Sequence, residues 1–154
     1  MRRPVDGAED TAMHTITDRD ALLNQSDTQL LNDCRTERFR GSGRGGQKRN
    51  VTDSAIRLTH LATGVAVECD ATRSQGRNRE LALRRLRLRL ALRCRASTPV
   101  LPSSSPPASR KSSEYAVWVG RVADLLHSVN WSAGEAARKM GISTHRLVRH
   151  LAAD

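Results

Sequence analysis

The chain has 154 residues, room for one compact domain or a small domain with an appendage, since domains run most often to roughly 100–150 residues. Its 26 Lys and Arg against 16 Asp and Glu leave a formal charge of +10 and a pI near 11.1, which points to a polyanionic partner. No apolar run reaches the roughly 18 residues of a membrane span, and aromatics make up only 3%, against a protein that stacks successive bases of a single strand on aromatic platforms.

The charge is unevenly placed. Residues 1–34 carry three Arg against seven acids, residues 35–95 carry 16 Lys and Arg against five, and residues 96–154 carry seven against four. The polyanion therefore meets the middle of the chain. Cys34, Cys69 and Cys94 show no C-x-x-C spacing, and with no signal peptide in view the expected setting is a reducing, bacterial cytoplasm. No Cys/His spacing suggests a metal, and no cofactor is expected.

In chain order, residues 1–25 have weak periodicity and are expected to be disordered or loosely attached. Ser26 or Asp27 caps a short helix on which Leu30, Leu31 and Cys34 share a face. Arg35–Arg40 reads as a strand, and Gly41-Ser42-Gly43-Arg44-Gly45-Gly46-Gln47 as a loop, because so many glycines cannot enter helix or strand without a large entropic loss. Ala55–Leu61 and Val65–Cys69 flank Ala62-Thr63-Gly64 as a hairpin. Ile56, Leu58 and His60 fall on one face of it, opposite Ala55, Arg57 and Thr59.

In Arg79–Arg95 the period is ambiguous, because Leu86, Leu88, Leu90 and Leu92 alternate with Arg or Ala in a strand-like way. The absence of β-branched residues and the wealth of Arg, Leu and Ala decide for helix. Leu83, Leu86, Leu90 and Cys94 then form one apolar stripe, and Leu81, Leu88 and Leu92 a second that needs its own cover. Residues 97–113 hold all but one of the prolines and read as an extended linker. Glu114–Val129 and Ser132–Asp154 read as helical, with Gly141 turning the chain between two helices and Ser143 capping the last.

A glycine-rich loop edged by Arg40, Arg44, Lys48 and Arg49 can lie against a phosphate backbone or be a plain surface loop. It is neither a P-loop nor a dinucleotide fingerprint. Its wider setting is more specific. Gly41-Ser42-Gly43-Arg44-Gly45-Gly46-Gln47-Lys48-Arg49-Asn50-Val51-Thr52-Asp53-Ser54-Ala55 resembles the signature of the catalytic domain of class I peptide-chain release factors. So do Arg57-Leu58-Thr59-His60-Leu61-Ala62-Thr63-Gly64, Val67-Glu68-Cys69 and Arg73-Ser74-Gln75-Gly76-Arg77-Asn78-Arg79. The resemblance covers about residues 30–95.

The resemblance implies an α+β fold: a small mixed or antiparallel sheet, a protruding Gly-Gly-Gln loop and a long basic helix, here followed by a helical hairpin of helix-turn-helix type. The expected division is 1–25 as the loose N-terminus, 26–96 as the release-factor-like domain, 97–113 as linker and 114–154 as the C-terminal module. It implies that Gly45, Gly46 and Gln47 enter the peptidyl-transferase centre of the large ribosomal subunit and promote hydrolysis of peptidyl-tRNA. Arg40, Arg44, Lys48, Arg49, Asn50, Arg73, Arg77, Arg79, Arg84 and Arg87 are the expected rRNA contacts. After the Gln, Lys48-Arg49-Asn50-Val51 departs from the family's commonest His-Val-Asn-Lys.

The tripeptides that the family uses for stop-codon reading, Pro-x-Thr and Ser-Pro-Phe, do not occur, so a monomeric, codon-independent ribosome-rescue type is expected. The alternatives are a ribosome- or rRNA-binding factor that does not catalyse, and a DNA-binding regulator acting through the C-terminal helices. That C-terminal hairpin either covers the second leucine stripe or anchors the protein to RNA.

Overall fold

A computed structural model of the chain describes residues 14–16, 18–40 and 54–152. Strand β1 (His14–Ile16) is followed by helix α1 (Arg19–Asn24), which Asp18 caps by accepting from the Ala21 N–H at 2.8 Å. Helix α2 (Asp27–Asn32) begins with a full capping box between Ser26 and Gln29, satisfying two amides that the first turn would leave bare. Strands β2 (Cys34–Phe39), β3 (Ala55–His60) and β4 (Ala66–Cys69) form an antiparallel sheet in the order β2-β3-β4. Gly64, at φ +69°, closes the turn between β3 and β4, a conformation that costs a residue without Cβ nothing.

Helix α3 (Gln75–Arg93) lies across this sheet and runs directly into β5 (Cys94–Ala96), which pairs in parallel with β1. It starts four residues earlier than its leucine pattern implies, because Ser74 caps it by accepting from the Arg77 N–H. Leu83, Leu86, Leu90 and Cys94 are buried against Ile56, Leu58, Val67 and Cys69, so helical burial prevails over the strand-like alternation. On the second stripe, Leu81 and Leu88 are partly covered while Leu92 stays 51% exposed. His60 is buried as a packing residue, its Nδ1 2.8 Å from the Thr63 hydroxyl, and burial lowers its pKa and favours the neutral ring.

After the linker come α4 (Ser113–Ser128), α5 (Ala133–Lys139) and α6 (Thr144–Leu151). Gly141, at φ +68°, turns α5 into α6, and Ser143 caps α6 through the Arg146 N–H. A second core of Tyr115, Trp118, Val122, Leu125, Ala137, Met140 and Leu147 holds these helices together, and Leu88 borders both cores. Ala116 and Val117 of α4 sit in the first core. Helix α4 thus supplies side chains to both cores.

The N-terminal expectation also needs correcting, for residues 19–24 are not loose. Arg19 is fully buried, its guanidinium 2.5 Å from Asp124 of α4 and 2.8 Å from Asp20. Arg95 of β5 reaches the other Asp124 oxygen at 3.3 Å, and Arg121 of α4 binds Asp20 at 2.7 Å. Gly120 makes the room, since a Cβ there would stand 2.8 Å from Cζ of Arg19. Burial alone would raise the Asp20 carboxyl, but hydrogen bonds from Arg121 and Arg19 outweigh it and hold the pKa below the ordinary value.

Two outcomes follow. Asp124→Ala leaves the buried Arg19 with Asp20 as its one remaining carboxylate and takes the partner of Arg95, and should cost about 3 kcal/mol in urea unfolding. The depressed Asp20 pKa means that its stabilisation is complete above the ordinary value of 3.8 and is lost as pH falls through the folded value. Thermal melts of the wild type should therefore drop more steeply below about pH 4 than melts of Asp20→Asn, which begins less stable.

Candidate functional site

The glycine-rich segment connects β2 to β3 beyond their last register pair, Phe39 with Ala55. Gly45, Gly46 and Gln47, with Arg44, Lys48, Arg49 and Asn50, lie outside the described residues. What the structure shows is how the two roots are held. Beside the outgoing root, the Arg57 guanidinium lies over the Phe39 ring, 5.9 Å from its centroid, while its Nε donates to Glu68 at 2.7 Å. A cation so placed is attracted by the ring's negative face.

The returning root is fixed by Asn78. Its side chain is fully buried in the first turns of α3. Asn78 Nδ2 donates to the Ser54 carbonyl at 2.8 Å and to the Thr72 carbonyl at 2.8 Å. Asn78 Oδ1 accepts from the Thr72 N–H at 2.8 Å and lies 3.0 Å from the Thr72 hydroxyl. One amide thus ties together the residue before β3, the segment after β4 and the start of the basic helix. The residue types explain the choice: a buried carboxamide offers two donors and an acceptor, matching two carbonyls and an N–H. Asn78 was not among the site residues expected from sequence; its presence in the Arg-Ser-Gln…Asn motif was the available signal, but only the fold shows it buried.

The arginines of the middle segment divide by what they touch. Arg40 is exposed directly after β2, and Arg73, Arg77 and Arg79 are exposed around the N-terminus of α3. Arg84 is half-buried one face round. Among the described residues, the side chains of Arg73, Arg77, Arg79 and Arg84 make no ion pair or hydrogen bond, so these cations remain available to an external anion. Arg85 and Arg89 instead reach down to the β4 edge, donating to the Glu68 carbonyl at 2.9 Å and the Ala66 carbonyl at 3.2 Å.

Arg87 departs from its expected place among the rRNA contacts. It is only 6% exposed and donates to the Leu23 carbonyl, to the Gln25 carbonyl at 2.8 Å and to Asp27 at 2.8 Å. Its guanidinium gathers the carbonyls at the end of α1 and the carboxylate at the start of α2, which leaves it facing the interior.

The described part of the site has no group suited to general-base or nucleophilic work. Burial, with Asp33 adding to it, pushes the Cys34 thiol up to about 11, and burial likewise raises Cys94 despite the nearby Arg19. No cluster of His, Cys, Asp or Glu among the described residues could hold a metal ion. No helix among them is long and apolar enough to cross a membrane.

A hairpin with a glycine-rich insertion, clamped by an asparagine at the head of an arginine-rich helix, defines an anion-facing presentation scaffold. Residues 26–116 match the RF-1 domain, and the chain belongs to that family, the catalytic domain of the class I peptide chain release factors. It is 33% identical over 159 aligned residues to peptide chain release factor 1 of Clostridium novyi, covering all of this chain and 43% of that protein. It is 60% identical over 58 residues to peptide chain release factor 2 of a Caulobacter species, covering 38% of this chain and 16% of the other. With peptide chain release factor 1 of Chlamydia pneumoniae the identity is 50% over 84 residues, 51% of this chain and 24% of the other. The chain thus spans about two fifths, or less, of the length of the curated relatives it matches.

Asn78→Ala should release the returning root. Ser54 and Thr72 carbonyls and the Thr72 N–H lose their partner, and unsatisfied buried groups cost about 1–3 kcal/mol. Chemical unfolding should show that loss, and amide exchange at Thr72 should speed up.

Proposed function

We propose that this chain is a ribosome-dependent peptidyl-tRNA hydrolase of the codon-independent, ribosome-rescue type, acting in the cytoplasm as a monomer. The observation that carries the reading is Gly45-Gly46-Gln47 inserted between two roots that the fold pins separately, at Phe39 and at Ser54. A rigid base and a side-chain-poor tip suit insertion of backbone into a crowded RNA cavity. The exposed Arg73, Arg77 and Arg79 beside that base suit the surrounding phosphates. Arg40, Arg44, Lys48, Arg49 and Asn50 extend the same cationic rim in sequence, and Arg84 adds to it from α3.

The reaction is hydrolysis of the ester between nascent peptide and tRNA. Water attacks the carbonyl carbon and the C–O bond to the terminal ribose breaks; one water proton goes to the ribose oxygen and the other to solvent, so the peptide leaves as a carboxylate. Gln47 contributes its backbone N–H to the developing oxyanion, and its side chain shapes the water site. Gly45 and Gly46 allow the backbone approach this needs. With no protein base in the loop, the gain comes from positioning water and stabilising charge.

Peptide release from ribosomes stalled on truncated message tests the proposal. Wild-type protein should release peptide there without a stop codon. Gln47→Ala and Gly46→Ala should slow release by about 10²-fold or more while ribosome binding persists. Release only on stop-codon complexes would overturn the rescue reading, and equal release by wild type and a Gly45/Gly46 double variant would overturn catalysis by the loop.

A further inference from the structure

The C-terminal helices carry a pattern that peptide release does not use. Helix α5 ends in two bonds around a left-handed glycine: the Gly141 N–H donates to the Arg138 carbonyl at 3.1 Å and the Ile142 N–H to the Ala137 carbonyl at 3.0 Å. Only residues 140–143 separate α5 from α6, which is the short glycine-bearing turn of a helix-turn-helix. Ala136, Ala137, Met140 and Leu147 are buried with Trp118 and Val122 of α4 in the second core. The first turn of α5 lies against the head of α6, since a Cβ on Gly134 would stand 3.9 Å from Thr144 Oγ1. Turn, core and close approach together fix how α6 is carried.

Burial decides which side of α6 stays open. Leu147 faces the core, and the His150 ring lies edge-on to Trp118 with centroids 6.3 Å apart. Arg146 donates to the Ser105 hydroxyl of the linker at 2.9 Å. At about 100° per residue, His145 and Arg149 fall opposite Leu147, with Val148 beside them. All three are exposed, and the His145 and Arg149 side chains make no ion pair or hydrogen bond among the described residues. Residues 136–153 include the cations Arg138, Lys139, Arg146 and Arg149 and no Asp or Glu, so the outward side of this hairpin is cationic throughout.

We propose that α5 and α6 are a DNA-reading helix-turn-helix, with α6 entering the major groove of B-form DNA through His145, Val148 and Arg149. A helix held by one side only, with a cationic outer row, matches a groove about 12 Å wide that admits an α-helix. The lack of nearby carboxylates spares the phosphates any repulsion. The row also suits base edges: Arg149 can donate two bonds to a guanine, Val148 meets a thymine methyl, and His145 offers a ring nitrogen. Duplex RNA fits less well, because its A-form major groove is too deep and narrow for side chains to read. One copy of the chain covers one half-site. The property is separate from peptide release, since it uses none of Gly45, Gly46 and Gln47.

The test begins with the full chain and a pool of random-sequence DNA duplexes. Selection should enrich a short motif containing guanine, and the selected duplex should bind at least about tenfold tighter than a scrambled one or an RNA duplex of the same sequence. Arg149→Ala should weaken binding to the selected duplex about tenfold or more and relax the choice of guanine, and His145→Ala should weaken it in the same direction. Arg149→Lys, which keeps the charge but loses the planar fork, should retain binding to scrambled DNA and lose the preference. Thermal melting checks that these exposed substitutions leave the fold intact. Enrichment of no motif would overturn the proposal, as would equal or tighter binding to the RNA duplex, or unchanged DNA binding by the folded Arg149→Ala/His145→Ala variant. Self-association abolished by that variant, without DNA selectivity, would assign the face to a second copy and overturn it as well. Were wild-type protein to select a DNA motif but release no peptide, the catalytic reading would fall and this one would stand; release without DNA selectivity would do the reverse.

Discussion

The amide of Asn78 is the constraint from which the site is built. A glycine-rich insertion has almost no cohesion of its own, so its placement depends on its ends. Asn78 joins Ser54 at one end to Thr72 and to the start of α3, and does so in a fully buried setting where each hydrogen bond is stronger and each missing one more costly. The same group that positions the loop therefore aligns it with the arginine-rich helix. Ser54, the segment at Thr72 and the head of α3 keep one arrangement because they share one anchor.

Behind that anchor, a charged network joins the chain's beginning to its C-terminal helices alongside the apolar contact of Leu23 with the core that holds Ala116 and Val117. Arg19 meets Asp124 across 105 residues of sequence, and Asp20, Arg95 and Arg121 complete the set. Buried ion pairs contribute little net stability but make wrong arrangements expensive, since any other packing would strand a charge. Here the arrangement so selected lays α4 over α3 and covers part of the second leucine stripe. Through α4, the second core that holds α5 and α6 borders the first.

Arginine serves three purposes in this fold, distinguished only by surroundings. Arg19 and Arg87 are interior groups that satisfy carboxylates and carbonyls. Arg85 and Arg89 close the exposed edge of β4, where unpaired strand carbonyls would otherwise invite another chain. Arg73, Arg77, Arg79 and Arg84 make no ion pair or hydrogen bond through their side chains among the described residues. A net charge of +10 thus overstates the cation surface in some places and leaves it intact in others.

Local chemistry alone determined much of this protein. Thr63-Gly64 marked the hairpin turn, and serines at 26 and 143 marked helix starts, because each depends on neighbours within a few residues. Only the tertiary structure decided that Asn78 is a clamp, that Arg87 faces inward and that residues 19–24 are packed. Burial and pairing are settled by groups up to a hundred residues away, and a guanidinium looks the same in sequence whether a carboxylate or a phosphate will meet it.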